Sequence, residues 1–278
     1  MVVEADVRKA FDKLTGQASH YTIHELNQLP NETKAQLYSL LIPDKVFQLF
    51  EIDRRDFKNK DGEHVLRLVA DCTCTFVIIE ISEHPGDGDP IFSLEIEDTA
   101  FCKIDINFLI INDVPGPRFA TYIDQAGRRT KFATVGRNIP EEIRAMNSGL
   151  TPGQVRPGLR LFKDFVPLAN AFVEAMGQDM VIVEPLGYNN AIIFESYGFG
   201  YIRGLRKMEE INEGFQPGGE LFEKLDGGTP FRRPGMEKTV RGRSWAIHDG
   251  ILGEPWRGIE MYRPSKGCTV GTFPGWIY

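Results

Sequence analysis

The most constraining feature of this sequence is the stretch QDMVIVEPLGYNNAIIFESYGFGYIRGLR, residues 178–206. An apolar run ends at Glu184-Pro185, a polar turn follows, and a compact helical segment spans 191–197. Gly198 fits the position after a helix, where a positive φ is needed, and a second apolar run comes directly after it. Strand, turn, short helix and strand in so short a space predict a βαβ-like unit.

Composition and charge place the chain among ordinary globular proteins. It has 278 residues, of which 42% are hydrophobic and 26% charged, enough for one large domain or two small ones. The net charge of −7 gives no electrostatic reason to expect nucleic acid or an anionic membrane as a partner. No apolar run approaches about 18 residues, and the first residues lack the pattern of a secretory signal. We therefore expect a cytoplasmic protein, with a homo-oligomer left open.

Four cysteines fit a reduced cytoplasmic protein: Cys72, Cys74, Cys102 and Cys268. The first two form a C-x-C pair on what reads as one face of a strand. Because no second pair lies at ligand spacing, we expect no metal site here, and small core residues are the simpler interpretation.

The N-terminal part, residues 1–44, is predicted to be a helical segment. Apolar residues recur at helical spacing over residues 4–15, which predicts an amphipathic helix. Thr22 and Glu25 have the spacing of a capping box for a short second helix. Asn31 can cap a third helix.

A central α+β core is predicted for residues 45–212. Its first half is rich in β-branched and aromatic residues, which favour strands. The predicted strands are VFQLFEI (46–52), HVLRLVA (64–70), TFVIIEI (75–81), IFSLEIE (91–97) and FCKIDINFLII (101–111). A hairpin turned at 125–127 is expected to follow them. The sequence therefore predicts a mainly antiparallel sheet in meander order.

Helices are expected against this sheet in the second half of the core. The best-defined one is predicted over 158–176, with Pro157 in its first turn and Gly177 at its end. A shorter helix is predicted at 190–197. The fold class is thus α+β, a central mainly antiparallel mixed sheet flanked by helices.

The C-terminal residues 213–278 change in character, because glycine and proline cluster repeatedly. We expect an irregular extension of short strands and turns. It contains Trp245, Trp256 and Trp276, and a disordered tail would be poor in such residues. The extension is therefore predicted to pack on the core.

Two segments of the sequence resemble a known enzyme superfamily. They are NNAIIFESYGFGYIRG, residues 189–204, and GQVRPGLRLF, residues 153–162. The order of segments is similar to that of the GNAT superfamily of acyl-CoA-dependent N-acyltransferases. It is an antiparallel sheet, a loop entering a long helix, then a strand, a short helix, Gly-Phe and a strand. The resemblance covers roughly residues 90–206. The pairs whose spacing matches the family are Phe194-Glu195 and Gly198-Phe199.

The resemblance implies acetyl-CoA or another acyl-CoA as a cosubstrate. In the family, the loop before the long helix offers backbone N–H groups to the pyrophosphate at the helix N-terminus. Here Pro157 lacks an N–H, and Arg160 stands where the family has a small residue. Arg156 and Arg160 could pair with phosphate instead, or be surface arginines on a proline-initiated helix. The implied cofactor residues are Gln154, Val155, Arg156, Gly158, Leu159, Arg160 and Asn190.

The resemblance also implies the reaction, which is acyl transfer to an amine, and the position of the catalytic residues. The family's general-acid tyrosine falls on Phe194, which has no proton to give. Tyr197 or Glu184 is the predicted catalytic group instead. The pantetheine arm would lie between splayed strands near 132–136 and 181–185. The alternative is a non-catalytic relative that binds a ligand or a partner chain.

Other polar groups leave further interpretations open. An acidic turn at 80–89 would suit metal-assisted hydrolysis, although a solvated turn is simpler. His248-Asp249 reads as a turn rather than half of a catalytic triad. Four arginines among glycines and prolines indicate an anionic ligand, a subunit contact or exposed charges: Arg232, Arg233, Arg241 and Arg243.

Overall fold

The computed structural model describes residues 4–16, 20–101, 103–130 and 136–278. The protein is α+β, with a seven-stranded, mainly antiparallel mixed sheet and flanking helices. The predicted fold class is therefore confirmed. In the described ranges, each helix is too short or too polar to cross a lipid bilayer.

The sheet has the strand order β1-β2-β3-β4-β5-β7-β6. The strands are β1 Leu66–Val69, β2 Phe76–Ile81, β3 Phe92–Asp98, β4 Ile104–Ile111, β5 Met180–Val183, β6 Gly200–Arg203 and β7 Glu260–Pro264. Strands β1 to β4 are antiparallel neighbours, whereas β4 and β5 run parallel.

Helices precede, interrupt and follow these strands. The helices are α1 Glu4–Thr15, α2 Ile23–Leu26, α3 Asn31–Tyr38, α4 Asp44–Leu49, α5 Ile139–Asn147, α6 Phe162–Ala175, α7 Tyr188–Ser196, α8 Leu205–Gly214, α9 Glu220–Glu223 and α10 Val240–His248. Short 3-10 helices span Ser39–Leu41 and Met236–Lys238. Helix α1 and the capping box agree with the sequence: Glu25 N–H donates to Thr22 Oγ1 at 3.2 Å, and Thr22 N–H to Glu25 Oε2 at 2.8 Å.

The prediction of a strand at 46–52 is wrong, because this segment forms helix α4. Asp44 lies in the first turn, directly after Pro43, and its carboxylate favours the positive end of the helix. Val46 and Phe47 are buried. A short apolar run fits either a strand or a buried helix, so periodicity could not decide between them.

The long helix starts later than predicted, at Phe162 rather than residue 158. Gly158 pairs with Asn112 in an antiparallel bridge, and Arg160 has a φ of 58°. Both conformations are incompatible with a right-handed helix. Pro157 is therefore outside the first turn. Gly177 follows the helix with a φ of 76°, as expected of a residue that ends one.

The C-terminal residues are more helical than predicted. Helices α9 and α10 lie in the residues 213–278, which were expected to form short strands and turns. Gly204 and Gly219 stand at N-cap positions, and Thr239 caps α10 by accepting from Gly242 N–H at 2.9 Å. The glycines thus bound short helices here.

The described residues form two compact units. Unit 1 comprises the described residues within 1–115, 158–183 and 262–266, and unit 2 those within 116–157, 184–261 and 267–278. In unit 1, α6 carries buried Phe165 and Phe172, whose rings lie 6.4 Å from Phe92 and 5.3 Å from Phe11. Aromatic pairs at such separations stabilise a core beyond the burial of their area.

Unit 2 has a core of its own around Trp245. Its ring stacks on Phe231 at 5.2 Å, and its Nε1–H donates to the Leu150 carbonyl at 2.9 Å. Phe119 and Ala145 belong to the same buried cluster. The indole thus buries a large apolar surface while its one polar atom is satisfied.

We expect Gly204→Ala to lower the free energy of unfolding by about 3 kcal/mol. Gly204 has a φ of 93°, and an added Cβ would overlap Ile259 Cδ1 and come within 2.8 Å of the Gly258 carbonyl oxygen. Gly218→Ala is the matched control, because its φ is 82° but nothing lies within 4 Å. It should cost about 1 kcal/mol. Urea unfolding followed by circular dichroism measures both; equal losses would show that the overlap is relieved without cost.

Candidate cofactor site at the edge of strand β4

Strand β4 contains a bulge near its middle. Glu95 of β3 pairs with Phe108, whereas the next residue, Ile96, pairs with Ile106. Asn107 is therefore an extra residue on β4, and its side chain is exposed. A bulge bends its strand and increases the twist, and bulges are common next to active sites.

The parallel pairing between β4 and β5 is short. It comprises three residue pairs and ends with Ile106 opposite Val183, although β4 continues to Ile111. No described strand pairs with the β5-facing edge of β4 beyond that point. The predicted partner strand near 132–136 lies, apart from Gly136, outside the described ranges. Among the described residues the parallel neighbour of β5 is β4.

The far end of this edge is closed by the chain entering α6. Leu159 N–H donates to the Ile111 carbonyl at 3.1 Å, and Gly158 bridges to Asn112. A Cβ on Gly158 would lie 3.2 Å from the Ile111 carbonyl oxygen, so a glycine suits this close approach. The open edge of β4 is thus residues 107–110, about 13 Å of extended chain.

The open edge presents unpaired backbone groups. Asn112 N–H donates toward β3, to the Ile91 carbonyl at 2.7 Å, whereas the Ile111 carbonyl faces Leu159. Successive residues of an antiparallel strand point their backbone groups to opposite sides. Leu109, two residues before Ile111, therefore directs its N–H and C=O into the open edge. Such an edge is a template for an extended ligand that adds as a strand.

The N-terminus of α6 follows a few residues after this closure. Leu161 is the N-cap, and its carbonyl accepts from Asp164 N–H and Phe165 N–H, both at 2.9 Å. No described side chain caps this helix end. The Asp164 carboxylate in the first turn forms an ion pair with Lys45 Nζ at 3.0 Å. The positive end of the helix dipole therefore lies at the end of the segment that closes the β4 edge.

The predicted phosphate loop is divided by the structure. Gly158, Leu159 and Arg160 lie in unit 1, on the segment just described. Residues 154–156 are engaged within unit 2. Their bonds are Thr151 N–H to Gln154 Oε1 (2.8 Å), Phe119 N–H to Val155 O (2.8 Å) and Arg156 Nη1 to Gly116 O (2.7 Å). The bonds of Val155 and Arg156 hold the chain at Phe119 and Gly116 in place.

The two predicted catalytic residues stand on either side of helix α7 in the chain. Glu184 is exposed and directly follows Val183, the last residue of β5. Tyr197 is the C-cap of α7, a nine-residue helix about 14 Å long that begins four residues after Glu184. Asn190 lies in the first turn of α7 and is half-buried. Of these residues, Glu184 lies next in sequence to the point where the pairing of β5 with β4 ends.

A buried carboxylate that the sequence did not single out as a site is Glu195. Its side chain accepts from Tyr201 Oη at 2.5 Å, and from Thr272 Oγ1 at 2.6 Å and Thr272 N–H at 3.0 Å. Burial, and then the Glu195 charge, raise the pKa of Tyr201, so its hydroxyl stays protonated and donates. The Phe194-Glu195 pair of the sequence resemblance includes Glu195, but no local sequence pattern shows that Thr272 binds its carboxylate. This network fastens the end of α7.

One residue of the acidic turn at 80–89, His84, belongs to a cluster of potential metal ligands. Potential ligand atoms of Asp61, Glu63 and His84 lie within 4.8 Å of one another, and all three residues are exposed. His84 Nδ1 is 2.8 Å from Glu63 Oε2, and this hydrogen bond raises the pKa of His84. An exposed His–Glu pair explains the grouping without further assumptions.

No protein-family model, curated protein or solved structure matches this chain. The geometry of the β4 edge and of the helix that follows it is therefore the basis for a functional assignment.

Proposed function

We propose that this chain is a GNAT-like acyltransferase that moves an acyl group from an acyl-CoA to an amine. The observation that carries the proposal is the early end of the β4–β5 pairing, beside the bulge at Asn107. This early end leaves one edge of β4 open. The elements also follow the order that the sequence resemblance requires: a sheet, a long helix, a strand, a short helix and a strand.

The open edge suits the pantetheine arm, which is extended and contains amide groups. In this proposal the arm lies along residues 107–110 and exchanges hydrogen bonds with the backbone of Leu109, as an added strand would. The pyrophosphate then lies toward Gly158 and the N-terminus of α6, where backbone N–H groups and the helix dipole favour an anion.

The chemistry transfers one acyl group and moves one proton. The amine nitrogen attacks the thioester carbonyl, the C–S bond breaks, and the CoA sulfur leaves as the thiol once it has gained a proton. Glu184, an exposed carboxylate at the end of β5, would accept the amine proton through water. Tyr197 remains the second candidate for proton transfer.

The alternative is a GNAT-like ligand-binding or protein-interaction domain without catalysis. Phe194 favours it, because this residue stands at the family's acid position and its ring packs on Phe199 at 5.0 Å without a proton to give. Under either proposal we place the protein in the cytoplasm, where the free thiols of Cys72, Cys74 and Cys268 would stay reduced.

Calorimetry with acetyl-CoA tests both proposals. We expect saturable binding with a dissociation constant of about 1 μM to 1 mM, the usual range for enzyme substrates. Measuring the release of CoA thiol in the presence of a panel of primary amines then distinguishes the transferase from the ligand-binding domain. Binding with thiol release supports the transferase, binding without release supports the ligand-binding domain, and no heat at millimolar acetyl-CoA rejects both forms of acyl-CoA recognition.

A further inference from the structure

Unit 2 contains a pocket that the proposed function does not use. Its volume is about 520 Å³, within the usual range of small-molecule sites. Aromatic rings line it, from Phe215, Phe222 and Phe273. Arg243 also lines it, and the exposed Lys238 stands at its rim.

Arg243 is deeply buried, with 2% of its surface exposed. Its Nε donates to the Glu237 carbonyl at 2.7 Å. Its Nη1 donates to Asn212 Oδ1 at 2.9 Å and lies 3.3 Å from Tyr188 Oη. The part of the chain that the structure describes offers no acceptor to the third nitrogen, Nη2. Two N–H donors are therefore available on the guanidinium in the pocket wall.

Arg243 also forms no ion pair with a described residue; Glu237 lines the same pocket, and its carboxylate accepts from Gly235 N–H at 2.8 Å. The hydrogen-bond partners of Arg243 are a carbonyl, an amide and a hydroxyl, and burial raises the pKa of Tyr188 to about 12, so that hydroxyl is neutral. The guanidinium carbon lies 3.5 Å from the Phe273 ring centroid and 5.0 Å from that of Phe215. Stacking offsets part of the cost of a buried cation, but a nearby anion offsets far more.

The position of Arg243 is fixed by the neighbouring backbone. A Cβ on Gly242 would lie 2.8 Å from Met236 Cα, so only a glycine lets the 3-10 helix Met236–Lys238 approach α10 so closely. This approach places the Glu237 carbonyl on Arg243 Nε. With Nε and Nη1 held by the protein, the guanidinium is oriented before any ligand arrives.

We propose that this pocket binds a small monocarboxylate with an aromatic or branched apolar body. The carboxylate accepts from Nη2 of Arg243, and the apolar body packs against Phe215, Phe222 and Phe273. One free guanidinium nitrogen among aromatic walls suits a single carboxylate better than a phosphate, which needs more donors. The site does not depend on acyl-CoA binding.

Phenylacetate and its neutral analogue phenylacetamide test the charge requirement in the full-length protein. We expect phenylacetate to bind with a dissociation constant of about 10 μM to 1 mM, as its size allows. Phenylacetamide should bind at least tenfold more weakly, because an amide brings no charge to Arg243. Isothermal calorimetry and thermal shift measure both. Equal binding of the two compounds, or no binding of phenylacetate at 10 mM, would overturn the proposal.

Two arginine substitutions locate the site. Arg243→Met is expected to abolish the preference for phenylacetate, whereas Arg206→Met, at an arginine whose side chain is 90% exposed, should leave it unchanged. Circular dichroism checks that each variant is folded. If Arg243→Met does not fold, the comparison of phenylacetate with phenylacetamide on the unmodified protein still tests whether the site requires a negative charge. A folded Arg243→Met that keeps the preference would contradict the assignment.

Discussion

Replacing Leu109 by proline is expected to weaken acetyl-CoA binding by about 10- to 100-fold, the equivalent of one or two hydrogen bonds. Leu109 directs its N–H into the open edge of β4, because Ile111, two residues later, points its carbonyl the same way, at Leu159. Proline has no N–H, and its ring would fill the edge where the pantetheine arm is proposed to lie.

The same substitution should leave the sheet folded. Leu109 is paired with Leu94, but its N–H faces away from β3, and proline is tolerated at strand positions of that kind. Leu109→Val is the matched control, because it keeps the N–H and a β-branched side chain that suits a strand. Calorimetry gives the affinities and circular dichroism the fold. Undiminished binding by a folded Leu109→Pro would place the cofactor elsewhere.

Asp249→Ala is expected to lower the free energy of unfolding by about 3 kcal/mol, the cost of breaking a buried ion pair. The Asp249 carboxylate is 8% exposed and pairs with Arg137 Nη1 at 2.7 Å and Arg232 Nε at 2.8 Å. Thr229 Oγ1 donates to it at 2.7 Å. Its removal leaves Arg232 without an ion-pair partner among the described residues, whereas Arg137 keeps Glu142, to which its Nε donates at 2.9 Å.

Glu210→Ala is the control for this loss, because it removes a carboxylate from an exposed pair. Glu210 lies 2.8 Å from Arg206 on α8, and both side chains are mainly exposed. Pairs of this kind contribute about 0.5 kcal/mol or less. Urea unfolding of the two variants measures the difference. A loss for Asp249→Ala as small as that for Glu210→Ala would show that Glu142 and water satisfy the two arginines.

The sequence was most informative where structure is decided within a few residues. Strands β1 to β4, helix α1 and the Thr22–Glu25 capping box follow from apolar periodicity and local hydrogen bonding, and all were predicted. Gly198, with a φ of 82°, ends α7 as predicted because only a glycine adopts that conformation without strain. His248 is the last residue of α10 and Asp249 is its C-cap, so only Asp249 lies in the predicted turn.

Predictions were wrong where a local pattern fitted two structures. The apolar run at 46–52 fits a strand as well as helix α4, and the glycines after residue 213 fit turns as well as helix ends. Pro157 is a good first residue for a helix, but Gly158 pairs with Asn112 instead. In each case contacts outside the segment selected the structure.

The sequence by itself determined helix α1, strands β1 to β4 and the α+β class, because spacing and caps act over short distances. Only the tertiary structure decided where β5 leaves β4, which backbone groups of β4 stay open, and that Arg243 is buried beside an aromatic pocket. These features join residues far apart in the chain, such as Asn212 with Arg243 and Ile111 with Leu159. Their energies depend on burial and register, which no local pattern contains.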